Sequence, residues 1–234
     1  MQYLTDPKQT EFQADVVSLE GDKVQFADTI IYPGGGGQPQ DFAWLTQGKQ
    51  RFEILAITAD NTYELDHAII DADIPIIQHI DARQREQNSR YHTLLHLIAA
   101  IASNAGARVS SNQIEADHAR IELQFDTGEQ AEAFTEAQLA SAVHRAIQAQ
   151  APVSARLVQR SALDDESEHV RTLVSLIPVT VSTVRLVQIA GFDEEACAGT
   201  HVENTAEIPE PVNFEWHRKG AKKRRIKVTL LPVK

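Results

Sequence analysis

Two short segments, His92-Thr93-Leu94-Leu95-His96 and Cys197-Ala198-Gly199-Thr200-His201, restrict what this 234-residue chain can fold into. Each places two metal-ligating side chains four residues apart, and together they hold three histidines and the only cysteine of the chain. On a helix an i,i+4 pair lies on one face within a turn, so both imidazoles of the first segment can reach one ion at about 2.0–2.1 Å. Bringing the second pair to the same ion requires a fold that closes a helix onto a distant turn. Soft sulfur with imidazole favours zinc, so His92, His96, Cys197 and His201 are the expected ligands of one Zn2+.

The rest of the chain bounds the setting. Its length suffices for one large or two small domains with a real core, and the division expected is residues 1–80 followed by 81–234. A lone cysteine forms no internal disulfide, which suits a reducing compartment, the cytoplasm. No apolar run approaches the roughly 18 residues of a membrane span, and Met1-Gln2-Tyr3-Leu4 leads to Asp6 and Pro7 without a signal-peptide pattern. The net charge is −11, but residues 218–234 carry eight cations and no acid, leaving −19 on the rest. Such a basic patch on an acidic body is a handle that selects where a polyanion touches.

Residues 1–80 are β-rich: Val16, Val24, Phe26, Ile30, Phe52, Ile54, Ile57, Ile69 and Ile76 fall in short runs separated by Gly21-Asp22, Asp60-Asn61 and Asp71-Ala72-Asp73. A small antiparallel barrel fits that spacing. Within it, Tyr32-Pro33-Gly34-Gly35-Gly36-Gly37-Gln38-Pro39 frees the backbone of Cβ atoms and presents one amide side chain, Gln38. From Asp81 and Gln84 the period becomes helical through Tyr91, Leu94, Leu95, Ile98, Ile101 and Ala102 until Gly106, with His92 and His96 flanking the apolar stripe. Ile121, Leu123 and Phe125 alternate as a strand. Thr127 and Gln130 open one helix expected to run through Phe134, Leu139, Val143 and Ile147, ended by Pro152. Val153–Val158 and Thr183–Ile189 read as strands around the acidic segment Asp164–Glu168, a helix or loop. Cys197 follows in a turn, and Arg225–Leu231 is a last strand led in by the basic segment. The fold class is α+β, an amino-terminal barrel followed by helices packed on an antiparallel sheet.

The ligand set narrows the chemistry. A His-Glu-x-x-His protease places its base beside the first ligand, where this chain has Thr93. Cys197 as a nucleophile with His201 as base is disfavoured, because a thiolate among three imidazoles is better explained by a metal. Four protein donors usually mark a closed structural zinc, yet such sites use more sulfur and local spacing, which leaves a catalytic or substrate-positioning centre as the favoured reading.

The two ligand segments, the block from Cys197 to Ile208, the Tyr32-to-Asp41 glycine stretch, and Lys219-Gly220 with Arg225-Ile226 together resemble the AlaX family of free-standing alanyl-tRNA editing proteins, relatives of the editing domain of alanyl-tRNA synthetase. The glycine stretch resembles that of the longer members, which carry a barrel before the editing domain. Ala198 stands where the family usually has a second glycine, and Leu94 where a small residue is common. The resemblance implies a zinc-dependent deacylase of mischarged Ser-tRNA(Ala), with Gly-tRNA(Ala) a second candidate substrate and the preference between them left open, and Thr93 is a candidate to read the serine hydroxyl. It further implies that Gln38, Gly36 and Gly37 approach the acceptor end, and that Lys219, Lys222, Lys223, Arg224 and Arg225 bind tRNA phosphates. The alternative is a zinc-stabilised module that captures tRNA without chemistry, or an accessory domain of a synthetase. No carboxylate in these motifs is an obvious general base, and the oligomeric state is left open.

Overall fold

The computed structural model describes residues 1–58, 60–69, 74–163, 169–173 and 181–231. It forms two compact units: residues 1–35 with 40–87, and residues 36–39 with 88–234. The glycine stretch expected within the first domain is thus divided, its tip belonging with the second unit.

The first unit is a seven-stranded antiparallel sheet made of β1 (Glu11–Ala14), β2 (Val16–Glu20), β3 (Lys23–Phe26), β4 (Ala43–Gln47), β5 (Gln50–Ile57), β6 (Thr62–Leu65) and β7 (Ile76–Ile80). The order is β1-β7-β4-β5-β6-β3-β2. The two outermost strands are separated in sequence by Asp15 alone, so the sheet curls into a nearly closed barrel. Register shifts at Val16/Ser18 and Ile54/Ala56 supply the bends such curvature needs. Val24, Phe26, Leu45, Phe52, Tyr63, Leu65 and Ile76 fill the interior, and the turns foreseen at Gly21 and Asn61 have positive φ. The expected turn at 71–73 and the acidic segment 164–168 lie outside the described residues.

A buried ion pair closes the neck of the glycine loop. Asp41 accepts the Tyr32 amide at 2.6 Å and the Arg85 Nε–H at 3.0 Å, and the Arg85 guanidinium also donates to Ile30 O and Pro7 O. Arg85 lies near the start of α1 (Ala82–Asn104), whose N-terminus is capped by Asp81 through Gln84 N at 2.9 Å. The Gln84 side chain does not complete a capping box; it accepts the Phe42 amide instead.

In the second unit α1 continues buried all round from Tyr91 to Ala100, where the sequence suggested one apolar stripe. The difference is that α1 packs in a core with the helix Glu136–Gln148 and the sheet residues named below, while its histidine side is covered by the Cys197–His201 loop. A four-stranded sheet, β13-β14-β9-β8, consists of β8 (Ala107–Ile114), β9 (Ala119–Phe125), β13 (Val212–Arg218) and β14 (Lys223–Leu230). A second sheet, β10-β11-β12, consists of β10 (Val153–Gln159), β11 (Thr183–Ile189) and β12 (Asp193–Ala196). Ile121, Leu123, Ile226, Val228, Leu94, Leu97, Ile98, Leu139 and Val143 belong to one core. The architecture is α+β with an amino-terminal barrel.

The single helix expected from Thr127 to Gln150 is two: α2 (Gly128–Ala133) and α3 (Glu136–Gln148). Phe134 between them is extended at φ −83°, ψ 103°. Thr135 and Gln138 form a second capping box that repeats Thr127 and Gln130, and each box satisfies orphan amides that would otherwise favour one continuous helix. Strands β8, β12 and β13 were not anticipated. The Asp-Glu-Glu composition of β12 is a poor strand former, and pairing with β11 in the register Leu186↔Ala196 and Ile189↔Asp193 holds it extended. Among the described residues, no helix is long and apolar enough to cross a membrane.

Candidate metal centre

His92 and His96, one turn apart on α1, place their ring centroids 5.1 Å from each other and 4.5 and 4.6 Å from that of His201. Cys197 follows β12 directly. Its amide continues the ladder to Arg185 O at 3.0 Å, and Arg185 Nη1 donates to the carbonyls of Cys197 and Gly199 at 2.9 and 3.0 Å, fixing the loop that carries Cys197 and His201. The Gly199 amide donates to Cys197 Sγ at 3.3 Å.

Sγ lies 3.5 Å from His92 Nε2 and 3.4 Å from His201 Nε2, and one donor atom from each of the four residues falls within 4.8 Å of every other. An ion about 2.0–2.1 Å from nitrogen and 2.3 Å from sulfur in tetrahedral geometry requires an N···S edge of about 3.5–3.6 Å. The donor set therefore fits a metal of zinc's size and softness.

Two of the imidazoles are held through their other nitrogen and the third has two carboxylates near it. His92 Nδ1 meets Gln38 Oε1 at 2.7 Å, His201 Nδ1 meets Thr93 Oγ1 at 3.1 Å, and His96 Nδ1 faces Asp193 and Glu195 at 3.4 and 3.5 Å. For His92 and His201 these acceptors place the proton on Nδ1 and leave Nε2 toward the cysteine, as outer partners of metal-bound histidines do, whereas His96 Nδ1 lies beside two carboxylates and hydrogen-bonds to neither.

The electrostatics agree with a ligand set. Burial raises the Cys197 thiol, but His92, His96 and His201 outweigh it and hold the group well below the usual thiol range. Burial, then repulsion from His92 and His96, pushes His201 down to about 3. Burial lowers His96, yet Glu195, Cys197 and Asp193 overcome it and raise the group well above the ordinary histidine value. Glu195 is pushed up to about 7 by burial, with His96 opposing.

The residue types beyond the ligands take roles that differ from those read in sequence. Gln38 is buried; its Oε1 also accepts the Thr200 amide at 3.0 Å and its Nε2 donates to Thr200 Oγ1 at 2.9 Å. It orients His92 instead of presenting its amide to solvent. Gly37 is the residue that delivers it: the Gly37 carbonyl accepts the Ile114 amide at 2.8 Å, and a Cβ there would fall 1.7 Å from Asn112 Oδ1. Gly36 is exposed, with nothing near a built Cβ. Thr93 is fully buried and its hydroxyl is saturated, donating to Ser89 O at 2.9 Å and accepting from His201 Nδ1 and, at 3.3 Å, from Val202 N. It therefore seats His201 and has no hydrogen-bonding capacity left for a serine hydroxyl. Replacing Gln38 with leucine is expected to weaken metal affinity 10- to 100-fold, read by chelator competition. Unchanged affinity with lost activity would place Gln38 on the substrate side.

The basic segment is a hairpin, and its charges are largely met across strands. Arg225 pairs with Glu122 opposite it on β9, and Lys227 with Glu215 opposite it on β13. Arg218 and Arg224 share Glu132. Arg224 is a correction to the expected phosphate contact: it is 3% exposed, and its guanidinium donates to Gly220 O, Lys223 O and Ala131 O. Lys219, Lys222 and Lys223 at the turn are exposed, and among the described residues none forms an ion pair.

A family model described as the threonyl and alanyl tRNA synthetase second additional domain matches residues 184–227, from β11 through the ligand loop to β14. Over 240 residues the chain is 30% identical to the alanyl-tRNA editing protein AlaX-M of Methanosarcina barkeri, with 98% of each chain covered. The corresponding protein of Methanosarcina acetivorans is 31% identical over 243 residues, again with 98% of each covered. The chain belongs to the AlaX family. It also aligns with the alanine–tRNA ligase of Methanothermobacter thermautotrophicus, at 28% identity over 220 residues, covering 88% of this chain and 23% of the ligase. For this AlaX chain, sequence reasoning located the four donors but missed Asp193, Glu195, Arg185, Ser89 and Thr200. Glu195, two positions before the lone cysteine, was the one with a local signal.

Proposed function

We propose that this chain acts in alanyl-tRNA editing, hydrolysing the ester of Ser-tRNA(Ala), and also of Gly-tRNA(Ala), at a Zn2+ held by His92, His96, Cys197 and His201. The observation that carries this reading is the convergence of the four donors, with His92 and His201 oriented from behind by hydrogen bonds and His96 set beside two carboxylates, in a chain aligned end to end with named editing proteins. When bound, Zn2+ supplies Lewis acidity toward a carbonyl or a water.

The chain's own residues do the positioning. Gln38 and Thr93 fix two ligands, Arg185 fixes the loop bearing Cys197, and the exposed Lys219, Lys222 and Lys223 meet tRNA phosphates, with Gly36 open to the acceptor end. The selectivity has a physical rationale. An alanine pocket rejects serine or glycine poorly, and a second site that pairs the serine hydroxyl discriminates in the opposite direction, because alanine would leave that polar group unmet. A single cysteine engaged as a metal donor suits a reducing compartment, the cytoplasm.

The test is deacylation of Ser-, Gly- and Ala-tRNA(Ala) with and without a chelator. Chelator-sensitive loss of serine with Ala-tRNA(Ala) spared is the expected result. Binding of tRNA without any hydrolysis would favour the reading that the full four-donor set supports on coordination count alone, a closed zinc stabilising a tRNA-binding module. If the three exposed lysines neutralise phosphates, affinity should fall with salt at a log–log slope of about −2 to −3. Neutralising them should flatten that slope and raise KM more than it lowers kcat.

A further inference from the structure

Outside the four donors, the second unit buries two more acids against the site. Asp193 and Glu195 lie two apart on β12 and so on one face of that strand. The Asp193 side chain is fully buried and that of Glu195 is 13% exposed. Asp193 Oδ2 and Glu195 Oε2, each without a hydrogen-bond partner among the described residues, stand 3.4 and 3.5 Å from His96 Nδ1. One imidazole N–H thus lies beside two carboxylate oxygens, aligned fully with neither.

The other oxygen of Asp193 is held from a distance. Arg171 Nε and Nη2 both lie 3.1 Å from Asp193 Oδ1. Arg171 is itself set in place by backbone: Val109 N donates to Arg171 O at 2.8 Å and Leu173 N to Val109 O at 2.9 Å, a parallel bridge of residues 171–173 onto β8. His92 and His201, by contrast, are backed by a neutral amide and a neutral hydroxyl. Among the described residues, negative charge behind the ring is confined to His96.

We propose that Asp193 and Glu195, the first anchored by Arg171, are positioning residues that hold His96 in its ligating tautomer, make it the strongest donor of the three imidazoles and thereby set the affinity of the centre for its metal. A carboxylate only accepts, so it keeps the proton on Nδ1 and Nε2 free, and its charge adds to the basicity of the ligating nitrogen. An amide in its place can donate to Nδ1 and drive the proton to Nε2, where it blocks ligation. The inference rests on the four donors forming a metal site.

The experiment is Zn2+ affinity by chelator competition and the visible spectrum of Co2+ in the full-length protein and its variants, with the thermal midpoint of the metal-free protein alongside. Asp193→Asn and Glu195→Gln are each expected to weaken Zn2+ binding 10- to 100-fold and to change the Co2+ spectrum while the metal-free midpoint stays. Arg171→Met should weaken it by less, Arg171→Lys should restore part of the loss, and Arg171→Met should add nothing on top of Asp193→Asn, because the two act as one unit. Variants within twofold of the parent affinity overturn the inference, as does a loss that occurs only with unfolding of the metal-free chain. Absence of metal binding by the parent protein would instead overturn the metal site itself.

Discussion

Cys197→Ala is expected to abolish metal retention at micromolar protein and to lower deacylation of Ser-tRNA(Ala) by about a thousandfold or more, with His96→Ala close behind. The thiolate is the one anionic donor among the four, and it sits 3.4–3.5 Å from two imidazole nitrogens that lose their shared partner when it goes. Lewis-acid assistance amounts to several kcal/mol of a barrier, and each 1.4 kcal/mol or so is a factor of ten. Elemental analysis and single-turnover hydrolysis check both parts. Retained zinc with lost activity would move Cys197 from ligand to nucleophile, whereas circular dichroism showing global unfolding would mark the centre as structural. The same chemistry sets a pH dependence with a definite sign. Ligation needs an unprotonated Cys197 and a free Nε2 on each histidine, and His96 in the metal-free chain is raised well above its ordinary value. Metal binding then displaces the His96 proton, so affinity rises with pH and the ion should be lost progressively as pH falls below the raised His96 value.

Gly199→Ala is expected to remove the metal nearly as completely, although Gly199 ligates nothing. A Cβ at that position would stand 2.1 Å from His92 Cε1, 2.4 Å from His92 Nδ1 and 2.9 Å from Gln38 Oε1, so the ring and the amide that orients it cannot both stay. Overpacking of this kind costs about 1–3 kcal/mol of stability, and displacement of His92 adds a loss of metal affinity of at least the 10- to 100-fold seen when outer partners are removed. Gly36→Ala is the control: its Cβ meets open space, and only the φ of +56° resists it, a strain of about 1–2 kcal/mol. Chelator competition on the two variants should separate them clearly. Equal affinities would mean that the ligand loop yields more readily than the contacts of Arg185 with Cys197 and Gly199 suggest.

The clustering of the four candidate donors was legible in the sequence because their signal is local: spacing of four on a helix, spacing of four in a turn, and a cysteine with no disulfide partner. The barrel strands and the first capping box were legible for the same reason, since alternation and Thr-x-x-Gln need only neighbours along the chain. The break between α2 and α3 was equally local, written in Thr135 and Gln138, and the apolar periodicity running through Phe134 concealed it. Strand β12 was hidden for the opposite reason, since its acids disfavour a strand until β11 pairs with it.

What the tertiary structure decided is what each polar group meets. A count of charge along residues 218–234 finds no acid, yet Glu122, Glu215 and Glu132 arrive from other elements and engage Arg225, Lys227, Arg218 and Arg224. Gln38 and Thr93 carry hydroxyl or amide groups suited to substrate, and it is the placement of Thr200, Ser89, His92 and His201 around them that turns both inward. Identity and spacing name the donors of a metal, because ligation depends on the atom a side chain carries. The tautomer of a histidine, the exposure of a lysine and the room beside a glycine depend on neighbours far away in the chain, and only the closed fold supplies those.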